Sequence, residues 1–149
     1  MPASLLNSGI GIDIVYIPRI LKLISGNSKL QRFLDRIYTS RERTDFHHNW
    51  GSHQEILRDS LKLKRCAAHI AGRWAAKEAV IKAATPRKVF MNQIEVFKSS
   101  EGYPVAILLE SSEVEAGSFP STANERGDNL LRLSISHDGD YAVAICNAS

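Results

Sequence analysis

The stretch that decides the fold is AGRWAAKEAVIKAA, residues 71–84. Its alanines predict a helix, because alanine is the strongest helix former and nothing in the stretch interrupts it. On a repeat of 3.6 residues, Trp74 and Ile81 lie on one apolar stripe, and Lys77 and Glu78 flank that stripe on opposite sides. A carboxylate at the margin of a buried face needs a cation nearby to offset its lost hydration.

The spacing of Glu78 and Lys82 allows two interpretations. A Glu four residues before a Lys is an ordinary surface pair on a helix, contributing roughly 0.2–0.5 kcal/mol. Alternatively, Lys82 or a metal ion compensates a partly buried Glu78. The helix alone does not decide between them, so the rest of the chain must.

The composition predicts a single globular domain over residues 1–149. The chain is 44% hydrophobic and long enough for a substantial core. Two cysteines, Cys66 and Cys146, are too few for a disulfide framework, and we expect an intracellular, reducing compartment. No apolar run approaches the roughly 20 residues that span a bilayer, so no membrane partner is predicted. The first residues lack the features of a secretory signal.

Charge is unevenly distributed along the chain. Residues 58–88 carry nine Lys and Arg against two Asp and Glu, whereas residues 89–149 carry three against nine. A basic middle segment predicts an anionic partner for one face: a phosphorylated cofactor, an acidic protein or a nucleic acid. The aromatic residues do not alternate with basic ones as in a single-strand binding surface, so a nucleic acid partner is not predicted.

The order of the predicted elements indicates an α+β domain, with a long helix packed on a mostly antiparallel sheet. The segment GIGIDIVYI alternates in polarity and predicts a first strand. Helices are predicted at about 18–24, at 28–37 and at 58–84. A further helix is predicted to begin at SRERTDF, with Thr39 or Ser40 as its cap. Strands are predicted at 93–97, 105–110, 130–136 and 141–146. Polar, aperiodic segments predict loop insertions at 46–57 and 111–128.

Asp13 is an unusual residue in the first predicted strand, because Asp is depleted in strands. It either bonds a turn near its glycine neighbours or holds a hard cation. Mg²⁺ typically takes one or two protein carboxylates and fills its remaining positions with water and phosphate oxygens. Asp13 and Glu78 form such a pair if the strand packs beside the helix.

His137 lies in SISHD, residues 134–138, which is not a catalytic triad because neighbouring residues cannot form that relay. Either His137 is an inert surface histidine or it donates a hydrogen bond to a phosphate. The other histidines lack the regular spacing of a zinc site.

Four segments, taken in order, resemble the holo-acyl-carrier-protein synthase family of 4′-phosphopantetheinyl transferases. They are GIGIDIVYIPRI, RFLDRIYTSRE, AGRWAAKEAVIKAA and LSISHDGDYAVAIC. The resemblance covers most of the chain apart from about 46–66 and 111–128, and it implies the 4′-phosphopantetheinyl transferase fold.

The resemblance implies a Mg²⁺-dependent enzyme. Such enzymes transfer the 4′-phosphopantetheine arm of coenzyme A to a serine of an apo acyl carrier protein and release adenosine 3′,5′-bisphosphate. It assigns Asp13 and Glu78 to the metal, Lys82 to the pyrophosphate, and Arg73 and His137 to coenzyme A. Glu78, Lys82 and Asp13 are then the catalytic residues.

The resemblance also implies partners and assembly. Arg19, with Lys22 one turn away, would dock an acidic carrier protein, although a merely solvated face is the alternative. Family members of this length act as homotrimers with sites between subunits. Two features depart from the short bacterial pattern: KAATPRKVF lacks the usual glycine-containing turn, and the two insertions favour a mitochondrial member serving fatty acid synthesis over a cytoplasmic one.

Two other functions remain possible at this point. The chain could be a non-catalytic module that binds coenzyme A or an acidic protein, or it could be a basic RNA-binding domain supported by charge alone. Transfer of phosphopantetheine to a carrier protein distinguishes the enzyme from both.

Overall fold

A five-stranded antiparallel sheet covers one long helix, as the computed structural model shows for residues 9–26, 28–110 and 130–148. The predicted loop at 111–128 lies outside these residues. The strands are β1 (Ile10–Tyr16), β2 (Ile94–Lys98), β3 (Pro104–Leu108), β4 (Leu131–Asp138) and β5 (Tyr141–Asn147). The helices are α1 (Ile17–Ile24), α2 (Lys29–Ile37), α3 (Ser40–Trp50), α4 (His53–Arg58) and α5 (Ser60–Ala83), and a 3₁₀ turn spans Met91–Gln93. The predicted α+β class is confirmed.

The sheet has the strand order β1-β5-β4-β3-β2, and every neighbouring pair is antiparallel. The alanines of α5 let the sheet approach the helix closely, and Ala71, Ala75, Ala79 and Ala83 are all buried. The alanine-rich composition that predicted the helix therefore also sets its packing distance.

Strand β1 lies directly against the backbone of α5 because it carries glycines on that side. A Cβ atom at Gly11 would overlap the carbonyl oxygen of Ala79, and one at Gly9 would overlap that of Ala83. No other residue permits this approach without moving the strand. The contact brings the next residue on the same face, Asp13, beside the last turns of α5.

The opposite face of β1 is apolar and exposed. Ile10, Ile12 and Ile14 are 72%, 59% and 62% exposed. Across the β1–β5 ladder, Ile12 lies opposite Ile145 and Tyr16 opposite Tyr141, so the apolar surface continues onto β5. The predicted alternation is confirmed, with the isoleucines on the outer side.

The prediction of a loop over 46–57 is wrong. Helix α3 continues through Trp50, and α4 begins at His53. Each begins with a capping box, Thr39 with Glu42 and Ser52 with Glu55, which satisfies backbone N–H groups at the helix start. Most polar residues of 46–57 therefore belong to short capped helices rather than to an irregular loop.

The long helix also begins slightly later than predicted. Asp59 caps it by accepting hydrogen bonds from the backbone N–H groups of Leu61 and Lys62. Within the residues that the structure describes, no helix is long and apolar enough to cross a membrane.

Candidate active site

The first candidate site, termed the acidic site, consists of Asp13 on β1 with Glu78 and Lys82 on α5. The Lys82 ammonium lies 2.9 Å from Oδ1 of Asp13 and donates to the carbonyl oxygen of Ile12 at 2.8 Å. The sequence predicted Glu78 as the partner of Lys82. That prediction is wrong, because the glycines of the β1 segment bring the Asp13 carboxylate close to Lys82. Lys82 influences Glu78 only electrostatically.

The two carboxylates of the acidic site interact with each other. The pKa of Glu78 is raised first by burial and then by the negative charge of Asp13, while Lys82 opposes the shift. One ammonium therefore faces two carboxylates, and the site lacks positive charge. This deficit, together with an all-oxygen donor set, fits a hard divalent cation that keeps open positions for phosphate oxygens. No group of three or more His, Cys, Asp or Glu side chains suited to a metal occurs in the described part of the chain.

An apolar pocket of about 630 Å³ opens beside Glu78. Phe33 and Trp74 stack in its wall, with ring centroids 5.4 Å apart and an angle of 20° between the rings. The residues that line it are Leu23, Phe33, Arg36, Ile37, Trp74, Glu78, Ile81, Val89, Phe90, Met91 and Asn92. A reacting group bound at Glu78 would thus have an apolar wall on one side and one basic residue, Arg36, nearby.

The carrier-docking candidates Arg19 and Lys22 lie exposed on α1. The next residue, Leu23, lines the apolar pocket, to which α2 contributes Arg36. The basic residues of α1 and α2 therefore belong to the two helices that form the edge of the apolar pocket.

A second, smaller cavity, the basic pocket, lies on a different face of α5 and has a volume of about 300 Å³. Arg73, His69 and Lys98 line it, together with the acidic residues Glu42 and Asp45 and aromatic side chains including Trp50. The pKa of His69 is lowered to about 4, first by burial and then by the positive charges of Arg73, His137 and Lys98. Positive charge therefore dominates around His69, and this part of the basic pocket is suited to an anion.

His137 is held against the first half of α5. Its Nε2 atom lies 3.0 Å from the carbonyl oxygen of Ala68, and a Cβ atom at Gly72 would lie 2.9 Å from the same nitrogen. The absence of a side chain at Gly72 thus makes room for the imidazole ring. Because His137 also lowers the pKa of His69, it is electrostatically coupled to the basic pocket.

The predicted site residues therefore fall into two groups. Asp13, Glu78 and Lys82 meet at the end of α5, whereas Arg73 and His137 lie near its middle. Gly72 and Lys82 are ten residues apart, about 15 Å along a helix.

Sequence reasoning missed Phe33, Arg36, His69 and Lys98 as site residues. Phe33 and Arg36 lie within RFLDRIYTSRE, and their spacing of three residues was the available signal for a shared helix face. Nothing in the sequence linked Lys98, on the distant strand β2, to α5.

The chain matches the family described as 4′-phosphopantetheinyl transferase superfamily over residues 9–146. A holo-[acyl-carrier-protein] synthase of Wolbachia sp. subsp. Brugia malayi (strain TRS) is 33% identical over 145 residues, covering 94% of this chain and 96% of the relative. A protein of Aspergillus fumigatus named 4′-phosphopantetheinyl transferase B, mitochondrial, is 34% identical over 145 residues, covering 91% of this chain and 89% of the relative.

Solved structures share the fold. The holo-ACP-synthase from Plasmodium yoelii matches with a TM-score of 0.63 and 26% identity, covering 93% of this chain and 91% of that chain. The Helicobacter pylori holo-[acyl-carrier-protein] synthase in complex with coenzyme A matches with a TM-score of 0.56 and 26% identity, covering 92% of this chain and 96% of that chain.

The antiparallel sheet packed on one long helix is thus the fold shared with the solved holo-acyl-carrier-protein synthases, and the chain belongs to the 4′-phosphopantetheinyl transferase superfamily. Within the superfamily it is an enzyme of the holo-[acyl-carrier-protein] synthase type, which uses coenzyme A and an acyl carrier protein.

Proposed function

We propose that the chain transfers 4′-phosphopantetheine from coenzyme A to a serine of an apo acyl carrier protein in a Mg²⁺-dependent reaction that releases adenosine 3′,5′-bisphosphate. The acidic site is the observation that carries this proposal. Two interacting carboxylates and one lysine lie at the end of α5, beside a pocket large enough for a substrate.

Asp13 and Glu78 would hold the metal, which when bound neutralises charge on the pyrophosphate. Lys82 now donates to Asp13, and its flexible side chain is suited to turn towards a leaving phosphate oxygen as a point charge. The attacking serine must lose a proton. Glu78, whose pKa is raised, is suited to accept it, and a water molecule held by Asp13 is the alternative.

The basic pocket supports binding of the adenosine phosphates of coenzyme A. Arg73 and Lys98 line it, and His137 lies close enough to affect His69. Cations that converge on one part of a partly enclosed cavity favour a phosphate there, although Glu42 and Asp45 also line the cavity. Arg73 and His137 are therefore proposed as residues that bind coenzyme A.

The edge of the apolar pocket supports docking of an acidic carrier protein. Arg19 and Lys22 on α1 and Arg36 on α2 supply positive charge around an apolar opening that leads to Glu78. A carrier protein held there would place its serine at the acidic site. Complementary charge of this kind mainly speeds encounter and fixes orientation.

We propose that three copies of this single-domain chain assemble, with sites between subunits. The exposed isoleucines of β1 give each chain an apolar sheet face that a further copy would cover. The separation of His137 from the acidic site fits a site shared between chains. Mixing Asp13→Asn chains with His137→Ala chains should then restore part of the activity on reassembly, measured against each variant alone. Mixed assemblies no more active than the separate variants would contradict the shared site.

We further propose a mitochondrial location and a role in fatty acid synthesis. The similarity to the Aspergillus fumigatus protein supports the location, although the other relative described above is bacterial. Fluorescence imaging of the full chain against a mitochondrial marker tests it.

Incubation with apo acyl carrier protein, coenzyme A and Mg²⁺, followed by mass spectrometry of the carrier, tests the reaction. We expect the phosphopantetheine mass increment and equimolar adenosine 3′,5′-bisphosphate, both lost on chelation and restored by Mg²⁺. A wild-type chain that binds coenzyme A without transfer would favour a binding module. Salt-sensitive RNA binding without transfer would favour a nucleic acid function.

A further inference from the structure

Lys77 is the largest fully buried side chain among the residues that the structure describes, and it is charged. Its relative exposure is 0%, and its ammonium group lies 2.6 Å from Oε2 of Glu42. The same ammonium donates hydrogen bonds to the carbonyl oxygens of Ile37 and Met91. All three donors of the ammonium are therefore used, as burial of a charge requires.

The three acceptors of Lys77 come from three different segments. Ile37 is the last residue of α2, Glu42 lies in the first turn of α3, and Met91 begins the 3₁₀ turn before β2. Glu42 extends the network by accepting from the backbone N–H groups of Thr39 and Val96. One side chain of α5 thus connects α2, α3, the 3₁₀ turn and β2.

Two of these acceptors belong to the wall of the apolar pocket. Ile37 and Met91 both line it, and so does Glu78, the residue that follows Lys77 in α5. Lys77 therefore connects two segments of the pocket lining to the helix turn that carries the proposed metal ligand. An apolar side chain could fill the same space but could not hold two carbonyl oxygens at fixed positions.

The cost of this arrangement indicates a function beyond stability. Burial lowers the pKa of Lys77, and Glu42 opposes that shift. A buried ion pair is often no more stabilising than a well-packed apolar pair of similar volume. The network is better explained by the geometry it imposes on the pocket.

We propose that Lys77 is a positioning residue for the transfer reaction: by holding the Ile37 and Met91 carbonyl groups, it sets the shape of the apolar pocket and the orientation of that pocket towards Glu78. The inference rests on the proposed function, because it assumes that the carrier protein enters there. Lys77 acts through these segments and does not touch the substrate.

The double variant Lys77→Met with Glu42→Gln separates geometry from charge. It removes both buried charges together, so no unpaired ion remains, and it also removes the bonds to the two carbonyl groups. We expect KM for the carrier protein to rise about 10-fold. Because Glu42 also lines the basic pocket, KM for coenzyme A is compared with that of the single variant Glu42→Gln, and the two should agree within about 2-fold.

Tryptophan fluorescence gives a readout that needs no activity. In a Trp50→Phe background Trp74 is the remaining tryptophan, and it lies in the pocket wall. We expect acrylamide to quench Trp74 about 2-fold more strongly in the double variant. If the unmodified protein transfers nothing, the proposed function fails, whereas the quenching result still tests the role of Lys77.

Ile56→Ala provides the matched control, because Ile56 is buried in α4 and does not line the pocket. A loss of stability alone should affect both variants equally. A double variant whose carrier KM and Trp74 quenching match those of Ile56→Ala would overturn the proposal. Lys77→Arg keeps the positive charge beside Glu42. Its guanidinium presents its donors in one plane instead of around a single nitrogen, so we expect distorted bonds to the carbonyl groups and a carrier KM about 3-fold higher. An unchanged carrier KM in this variant would also overturn the proposal.

Discussion

The two lysines of α5 that pair with carboxylates differ in how completely their charge is compensated. Lys77 is fully enclosed, and three acceptors use its three donors. Lys82 is about half exposed and shares its charge between Asp13 and Glu78, which remain in excess. The balanced cluster around Lys77 holds segments of the structure together, whereas the excess negative charge around Lys82 is suited to binding a ligand.

The largest expected effect comes from removing the excess negative charge at the acidic site. Asp13→Asn removes one proposed metal ligand, so we expect kcat/KM to fall about 10³-fold, as when a main charge-stabilising group is lost. The unfolding midpoint should change little, because Asp13 is not part of the core. Steady-state kinetics at saturating Mg²⁺ measure this. Asp35→Asn, at an exposed residue of α2, is the control, and equal activity of the two variants would refute the assignment.

The next effect tests whether backbone contact positions Asp13. In Gly11→Ala the added methyl group meets the Ala79 carbonyl oxygen and pushes β1 away from α5. We expect a loss of roughly 1–3 kcal/mol in the free energy of unfolding. Activity should fall about 100-fold even at temperatures where the protein is folded. Denaturant unfolding measures the loss of stability, and kinetics on the same sample measure the loss of activity. A variant as stable and as active as the wild type would contradict both expectations.

A smaller effect is expected at the carrier-docking surface. Arg19→Glu reverses an exposed charge on α1, the helix that contributes Leu23 to the apolar pocket, so KM for the carrier protein should rise about 10-fold while KM for coenzyme A stays unchanged. Added salt should reduce the difference between variant and wild type. If KM for coenzyme A rose instead, the docking assignment would be wrong.

The last prediction concerns the stability of the protein rather than its activity and involves His69 in the basic pocket. Its pKa in the folded protein is about 4, below its ordinary value of 6.5, so the folded state disfavours protonation. Above pH 6.5 His69 is neutral in both states and has no effect; as pH falls from 6.5 towards 4, the unfolded state gains a proton first and stability is lost. This loss is at most about 3 kcal/mol.

His69→Gln should therefore flatten the decrease in stability with acid. Urea unfolding of both proteins at pH 7 and pH 5 measures the difference. An identical decrease in the variant and the wild type would show that His69 titrates normally. Phosphate or coenzyme A bound in the basic pocket should raise the pKa of His69, which NMR titration of the imidazole would detect.

Local patterns in the sequence were enough to predict much of the fold. The alternation in β1 and the alanines of α5 are strong signals, because each reports a period set by one element alone. The loop predicted at 46–57 is wrong because a polar segment can still form short helices when capping residues begin them. Ser52, three residues before Glu55, was a readable helix start.

The candidate site was less predictable, because its contacts join distant parts of the chain. The partner of Lys82 depends on how closely β1 approaches α5. Gly9 and Gly11 permit that close approach, but only the folded structure shows that it occurs. The burial of Lys77 depends on α2, α3 and the segment at Met91. A helical repeat placed Lys77 beside the apolar stripe but could not show that three acceptors would enclose it.

The period of two in β1 has a consequence for how this enzyme can change. Odd-numbered residues, including Asp13, face one side of the strand, and the even-numbered isoleucines face the other. Inserting or deleting a single residue there would reverse both sides at once. The proposed metal ligand and the proposed self-association surface thus lie on the same seven residues, and we expect a length change to disrupt both together.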